Sequence, residues 1–167
     1  MAVSFLPKIV TRSITDLTPD FLQSQGIRLL MLDFDNTIVP YTTDVPTEQM
    51  SRWLQGMAQS GIQVCIVSNS KRGRVPKFCQ TYGLDCITHA KKPGGRGIRQ
   101  CLEKYSIPAT QAALAGDQIY TDTLGANCAG VRSILVEAID NHNIWLKLRH
   151  VAEMPFILAA GGRQLKK

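Results

Sequence analysis

The chain has 167 residues, of which 44% are hydrophobic and 19% are charged, and its formal net charge is +6. This balance is typical of one globular domain and argues against a disordered chain. A membrane-spanning segment is not expected because no apolar run has the necessary length, and a secretory leader is not expected because the signal-peptide pattern is missing. The five cysteines have irregular spacings, which argues against a disulfide framework and a paired zinc site. We therefore expect a single domain over 1–167 that is cytoplasmic, with peripheral attachment to the inner membrane face left open.

In chain order, a short helix is expected first, between Thr18-Pro19 and Gly26, because proline suits a first helical turn and glycine an end. Apolar runs then alternate with helical patterns. The predicted strands are 28–33, 63–68, 85–89, 112–117 and 131–137. The predicted helices lie between Thr47 and Gly61 and over 72–82, 95–105 and 121–129. This alternation predicts a Rossmann-like α/β fold, with a central parallel sheet of about five strands flanked by helices.

Two parts of the chain are strongly basic. Residues 71–104 hold nine basic residues against two acidic ones, and the C-terminal segment 141–167 is also basic. Solvated helix faces are the commoner explanation, and a surface that attracts a polyanion is the alternative. An amphipathic stripe over 144–152 predicts a helix docked on the sheet rather than one inserted in a membrane, although its basic side chains could still contact one.

Reactive side chains follow the predicted strands. Asp33, Ser68 and Asp117 each end an apolar run, and Lys92 lies just after another. Because parallel strands bind ligands at their carboxyl ends, we expect these groups to meet at one edge of the sheet. Asp33 and Asp35 can face the same reacting group, and a hard cation such as Mg²⁺ would relieve the repulsion between them. The pattern indicates a phosphoryl-transfer site.

The segments LDFDNT, IVSNS, AKKP and GDQIYTD, taken in this order, resemble the four motifs of the haloacid dehalogenase (HAD) superfamily of phosphatases. They span about 28–137. The nearer resemblance is to subfamily IIIA phosphatases of the YqeG type, which are related to mitochondrial phosphatidylglycerophosphate phosphatase. The resemblance implies a Mg²⁺-dependent phosphomonoester hydrolase that works through an aspartyl-phosphate intermediate.

The resemblance also implies catalytic roles for three residues. Asp33 would be the nucleophile, and Asp35 would be the general acid and then the general base. Lys92 would supply a point charge beside the phosphoryl group. The family's lysine immediately precedes a proline, which favours Lys92 over Lys91.

The implied metal site uses Asp33, Asp117 and the backbone carbonyl of Asp35. Asp122 matches the second acid of a GDxxxxD pattern and joins this set, although an ordinary acid at a helix N-terminus explains it nearly as well.

The expected substrate-binding groups are Thr37, which would fix the loop after the first strand, the hydroxyl of Ser68 and the backbone N–H of Asn69. Preorganised donors of this kind stabilise the charge that develops on phosphoryl oxygens.

The intervals between the motifs are too short for a folded cap domain, so an open site is expected. Such a site suits a phosphate displayed on a membrane or macromolecule. Basic residues should lie around its rim: Lys71, Arg72, Arg74, Arg96 and Arg99.

The preferred substrate is therefore phosphatidylglycerophosphate, an anionic phospholipid. The alternatives are soluble phospho-sugars or nucleotides, with an oligomer supplying the missing cover. A non-enzymatic alternative is an RNA- or ribosome-binding protein, although the chain lacks the aromatic and basic interleaving typical of RNA recognition.

Overall fold

The computed structural model describes residues 4–70, 73–140 and 153–160. Within these residues, six strands form one sheet. They are β1 (Ile9–Thr11), β2 (Leu29–Leu32), β3 (Gln63–Val67), β4 (Asp85–Ile87), β5 (Ala112–Gly116) and β6 (Arg132–Val136). The strands pair in the order β1-β6-β5-β2-β3-β4, and every pair is parallel.

Helices connect the strands. They are α1 (Pro19–Ser24), α2 (Glu48–Gln59), α3 (Arg74–Tyr82), α4 (Arg96–Tyr105) and α5 (Leu124–Ala129). The hydroxyls of Thr18 and Thr47 cap α1 and α2 by accepting hydrogen bonds from backbone N–H groups. No helix in the described part of the chain is both long and apolar enough to cross a bilayer.

The centre of the fold is β2, which is covered on both faces. Successive residues of a strand point to opposite sides. Leu30 and Leu32 belong to one apolar cluster, whereas Leu29 and Met31 belong to another. All four side chains are fully buried. Burial on both faces explains why this strand is a continuous apolar run instead of an alternating one.

The predicted parallel α/β architecture is confirmed, and all five predicted strands are present. The sheet has one strand more than expected, because β1 was not predicted. β1 contains only three residues and pairs with β6, which lies far along the chain. Asn127 of α5 holds the segment that precedes β1 by donating hydrogen bonds to the carbonyl oxygens of Ser4 (2.6 Å) and Leu6 (3.1 Å).

The helix predicted over 121–129 is divided in two. Ile119–Thr123 forms a π-helical turn, and α5 begins only at Leu124. Turns of this kind occur frequently at functional sites, and this one carries Asp122. The stripe predicted over 144–152 lies outside the described residues, whereas 153–159 are helical.

The described residues between the sequence motifs contain no folded cap. The interval from Thr37 to Ser68 holds α2 and β3, and the interval from Ser68 to Lys92 holds α3 and β4. This agrees with the expectation from the spacing of the motifs.

Candidate active site

Two neighbouring strands, β2 and β5, bring two aspartates to one point. Leu32 of β2 is level with Ala115 of β5, and the backbone N–H of Asp33 donates to the carbonyl oxygen of Ala115 at 2.9 Å. The chain proceeds from β2 to β3 and β4 on one side, whereas β5 and β6 lie on the other. Asp33 and Asp117 therefore lie where the strand order reverses, which is the usual ligand position in an open α/β sheet.

The ammonium group of Lys92 lies between two carboxylates. Its Nζ is 2.6 Å from Asp33 Oδ1 and 2.6 Å from Asp122 Oδ1. The side chain of Asn69 holds the Lys92 backbone, since Oδ1 accepts from the Lys92 N–H at 2.8 Å and Nδ2 donates to the Lys92 carbonyl at 2.9 Å. Lys91 is exposed, so Lys92 is the member of this lysine pair that reaches the cluster.

Asp122 reaches the same cluster because Gly116 leaves room for it. A Cβ atom on Gly116 would lie 2.4 Å from the Asp122 carboxyl carbon. The N–H of Gln118 donates to Asp122 Oδ2 at 3.2 Å, and the N–H of Ile119 donates to the buried carboxylate of Glu153 at 2.9 Å. Asp122 is thus a buried residue of a fixed turn and not an exposed acid at a helix end.

The cluster perturbs the ionisation of its members. Burial raises the pKa of Asp33 to about 7, the carboxylates of Asp122 and Asp117 add to this increase, and Lys92 opposes it. Burial by itself would lower the pKa of Lys92, but Asp122 and Asp33 more than offset burial and raise that pKa above its ordinary value. The ammonium therefore stays charged, whereas ionising Asp33 is unfavourable unless more positive charge is present.

Three of the predicted metal ligands converge. Asp33, Asp117 and Asp122 are buried, and each offers a carboxylate oxygen within 4.8 Å of the others. Several carboxylate oxygens around one point are the donors that a hard divalent cation prefers. The donor set therefore fits such a cation. The carboxylate of Asp35 is not part of this group.

The Asp35 carboxylate instead meets the first residue of α3. Nη1 of Arg74 lies 3.1 Å from Asp35 Oδ1, and Nε lies 2.5 Å from Asp44 Oδ1. Only 11% of the Arg74 side chain is exposed. Arg74 lies at the predicted edge of the sheet, but its guanidinium pairs with two carboxylates and is not an exposed rim cation. Lys71 and Arg72, which were predicted to share that role, lie outside the described residues.

The predicted substrate-binding residues lie at the ends of β2 and β3. Ser68 is buried, and its Oγ accepts a hydrogen bond from the N–H of Ser70 at 3.0 Å. Thr37 is buried too, and its hydroxyl makes no hydrogen bond within the described residues. A buried polar group without a partner is unusual and calls for a functional explanation. The backbone N–H of Asn69 stays a predicted donor to the substrate. The hydrogen bonds from its side chain to the Lys92 backbone are a separate role that was not predicted.

Sequence reasoning missed two residues that support the site. Asn36 has a φ of +65°, a region that asparagine tolerates, and its side chain pairs with the backbone of Asp140 at 2.7 and 2.8 Å. This contact fastens the loop after β2 to the chain after β6. Glu153 was visible only as an isolated acid in a basic segment, and nothing in the sequence indicated that it would accept from the Ile119 N–H.

Comparison with known proteins identifies related sequences. A family model described as mitochondrial PGP phosphatase matches residues 2–139. A curated relative from Bacillus subtilis (strain 168), described as probable phosphatase YqeG, is 33% identical over 132 residues. The match covers 79% of this chain and 77% of the relative.

Solved structures with low sequence identity share the fold. A putative HAD family hydrolase from Streptomyces avermitilis is 14% identical, with a TM-score of 0.56 over 74% of this chain and 78% of that chain. The 3-deoxy-D-manno-octulosonate 8-phosphate phosphatase from Moraxella catarrhalis is 18% identical, with a TM-score of 0.51 over 86% and 93%. The latter structure is a complex with a magnesium ion, a phosphate ion and a KDO molecule.

Proposed function

Because the chain belongs to the mitochondrial PGP phosphatase family of HAD-type phosphatases, we propose that it dephosphorylates phosphatidylglycerophosphate to phosphatidylglycerol, with Asp33 as the nucleophile. The observation that carries the residue assignment is the cluster at the reversal of strand order. There the buried Lys92 ammonium lies 2.6 Å from both Asp33 and Asp122.

In the first step, a carboxylate oxygen of Asp33 attacks phosphorus while the bond from phosphorus to the leaving oxygen breaks. Asp35 gives its proton to that leaving oxygen, so the alcohol departs neutral. Lys92 stabilises the negative charge of the phosphoryl oxygens from within a buried site, where charge interactions are strong. Ser68, Thr37 and the Asn69 N–H donate hydrogen bonds to the same oxygens or to the loop that surrounds them.

In the second step, water attacks the phosphorus of the aspartyl phosphate. Asp35, now ionised, accepts a proton from that water as the bond between phosphorus and the Asp33 oxygen breaks. Inorganic phosphate leaves and the carboxylate of Asp33 is restored. The residue that was the acid in the first step has thus regained its proton.

We propose Mg²⁺ as the cofactor, held by Asp33, Asp117, Asp122 and the backbone carbonyl of Asp35. The support is the set of carboxylate oxygens within 4.8 Å of one another. When bound, the ion supplies the positive charge that lets these carboxylates and the phosphoryl oxygens share one site.

The lipid substrate is supported by the family and by the surface around the site. The described residues contain no cap that would enclose a small molecule, and Arg96 and Arg99 of α4 are exposed. Cations beside an anionic bilayer contribute about 1 kcal/mol each to membrane binding. These residues lie just after Lys92 in the chain. Their positive charges would therefore attract the phosphate of a lipid at a membrane surface close to the site.

The test compares phosphate release from two substrates. One is phosphatidylglycerophosphate in mixed micelles, and the other is soluble 3-deoxy-D-manno-octulosonate 8-phosphate. We expect the lipid to be preferred, EDTA to abolish release and added Mg²⁺ to restore it. Asp33→Asn should give no release from either substrate, and Arg52→Gln, a change on the exposed face of α2, should behave as wild type. Preference for the soluble ester would overturn the lipid proposal, whereas release by Asp33→Asn would overturn the nucleophile.

A further inference from the structure

The guanidinium of Arg74 makes four hydrogen bonds with the loop after β2 and a further ion pair with Asp44 of the same loop. Nε contacts Asp44 Oδ1 at 2.5 Å, and Nη1 contacts Asp35 Oδ1 at 3.1 Å. The remaining contacts are with backbone carbonyl oxygens of the loop after β2. They are Nη1 to Tyr41 at 3.4 Å, and Nη2 to Pro40 at 3.3 Å and to Thr43 at 2.7 Å. Arginine has five donors in one plane and no acceptor, so a loop that presents carboxylate and carbonyl oxygens suits its guanidinium.

The position of Arg74 is fixed from its own side as well. It is the first residue of α3, and its guanidinium lies 5.1 Å from the centre of the Phe34 ring. Phe34 is fully buried and follows Asp33 directly, and it packs in turn on Phe78 of α3 with ring centres 5.1 Å apart. A guanidinium over an aromatic face is attracted by the ring, and the planar group is well suited to this stacking.

These contacts connect two parts of the sequence that carry different motifs. Asp35 lies in the loop after β2, whereas Arg74 begins the helix after β3. The Asp35 side chain is 21% exposed, and Asp44 is 58% exposed. The Asp35 carboxylate is thus partly open to solvent, and it forms an ion pair with a guanidinium that is itself held in place. The Arg74 contact therefore favours one orientation of this carboxylate.

We propose that Arg74 is a positioning residue of the reaction, which orients the Asp35 carboxylate for both of its proton transfers. This inference rests on the proposed function, because it needs Asp35 to be the general acid and base. Arg74 acts through geometry: it contacts the side chain of Asp35 and none of the three carboxylates proposed to hold the metal, and it exchanges no proton itself. A general acid contributes about 10²- to 10⁴-fold to a rate only when it lies within hydrogen-bond reach of the leaving oxygen.

The test uses the dependence of the rate on the leaving group. An alkyl phosphate such as glycerol 3-phosphate needs a proton on its leaving oxygen, whereas 4-nitrophenyl phosphate leaves as a stable phenolate. The constant kcat/KM reports the steps up to phosphoryl transfer to Asp33, and so isolates the acid role. We expect Arg74→Gln to lower kcat/KM about 10- to 100-fold for the alkyl ester and less than about 3-fold for the nitrophenyl ester.

Two further variants test whether the loss of rate comes from the geometry of the Arg74 contact, from its positive charge alone or from general destabilisation of the protein. Arg74→Lys keeps a positive charge but has only three donors on a compact group, so we expect it to resemble Arg74→Gln. In an Asp35→Asn background, Arg74→Gln should add less than about 3-fold, because the residue through which it acts is already lost. Arg52→Gln is the matched control and should leave both rate constants unchanged.

The ratio of the two kcat/KM values is measured on one sample, so it does not depend on the fraction of protein that is folded. An unchanged ratio in Arg74→Gln, or a loss that multiplies with that of Asp35→Asn, would overturn the positioning role and leave the phosphatase proposal intact. Equal hydrolysis by wild type and Asp33→Asn would overturn the proposed function itself.

Discussion

Replacing Asp33, the proposed nucleophile, should stabilise the metal-free protein. Asp33→Asn removes a carboxyl group whose ionisation is unfavourable in the folded state, where its pKa is raised from 3.8 to about 7. Between these pH values the folded protein holds a proton that the unfolded chain has lost. The free energy of unfolding of the wild type therefore falls as the pH rises from about 4 to about 7. Asp33→Asn lacks this carboxyl group, so its free energy of unfolding does not fall for this reason.

The size of the effect follows from the shift. One pKa unit corresponds to about 1.4 kcal/mol, so a shift of about three units sets a ceiling of about 4 kcal/mol for the advantage of Asp33→Asn above pH 7. At pH 5 the same reasoning leaves less than half of this advantage. For a chain of this length, 4 kcal/mol raises the melting temperature by roughly 10 °C. Only 6% of Asp33 is exposed, so solvent screening does little to reduce these values.

The assay is thermal and urea unfolding in EDTA at pH 5 and pH 8, with Glu103→Gln, an exposed change on α4, as the control expected to stay within about 0.5 kcal/mol of wild type. Added Mg²⁺ should raise the stability of the wild type and have much less effect on Asp33→Asn. The reasoning is refuted if metal-free Asp33→Asn is no more stable than wild type at pH 8, or if its advantage does not shrink at pH 5.

Three further changes test the supports of the cluster. Lys92→Met should lower the free energy of unfolding of the metal-free protein by about 3–5 kcal/mol in urea, opposite in sign to Asp33→Asn, because it leaves buried carboxylates unpaired. Asn69→Ala should lower kcat/KM for 4-nitrophenyl phosphate by up to about 100-fold, because it frees the Lys92 backbone, while costing about 1–2 kcal/mol in stability. Glu153→Ala should cost about 1–3 kcal/mol in the same unfolding assay by leaving the N–H of Ile119 unpaired, and Glu153→Gln, which keeps an acceptor, should cost less.

The sequence was sufficient to predict where the strands end, because β2 and β5 are apolar runs that stop at Asp33 and Asp117. Parallel strands have their carboxyl ends at one edge, so the meeting of these residues followed from fold class alone. The location of Lys92 could be predicted as well, since the lysine before Pro93 follows β4. These inferences depend on local patterns and one topological rule.

Contacts between distant side chains could not be predicted in the same way. Arg74 belongs to a run of basic residues whose common explanation is a solvated surface, and only the fold reveals that Asp35 and Asp44 lie beside it. The three residues of β1 carry too little pattern to distinguish a strand from a loop. The π-helical turn that buries Asp122 depends on the space left by Gly116, which is a property of packing and not of periodicity.

The same charges explain both why the site is costly to ionise without a metal and why we propose a cation there. Three carboxylates, those of Asp33, Asp117 and Asp122, share the cluster with one ammonium group, so full ionisation leaves two negative charges buried together. Burial raises the pKa of Asp33 and the neighbouring carboxylates add to the increase, but a protonated carboxyl group is a poor nucleophile. A divalent cation held by these carboxylates would balance both charges and favour the ionised form of Asp33. The fold therefore holds the proposed nucleophile in a state that is costly to ionise without the ion and that would be reactive with it.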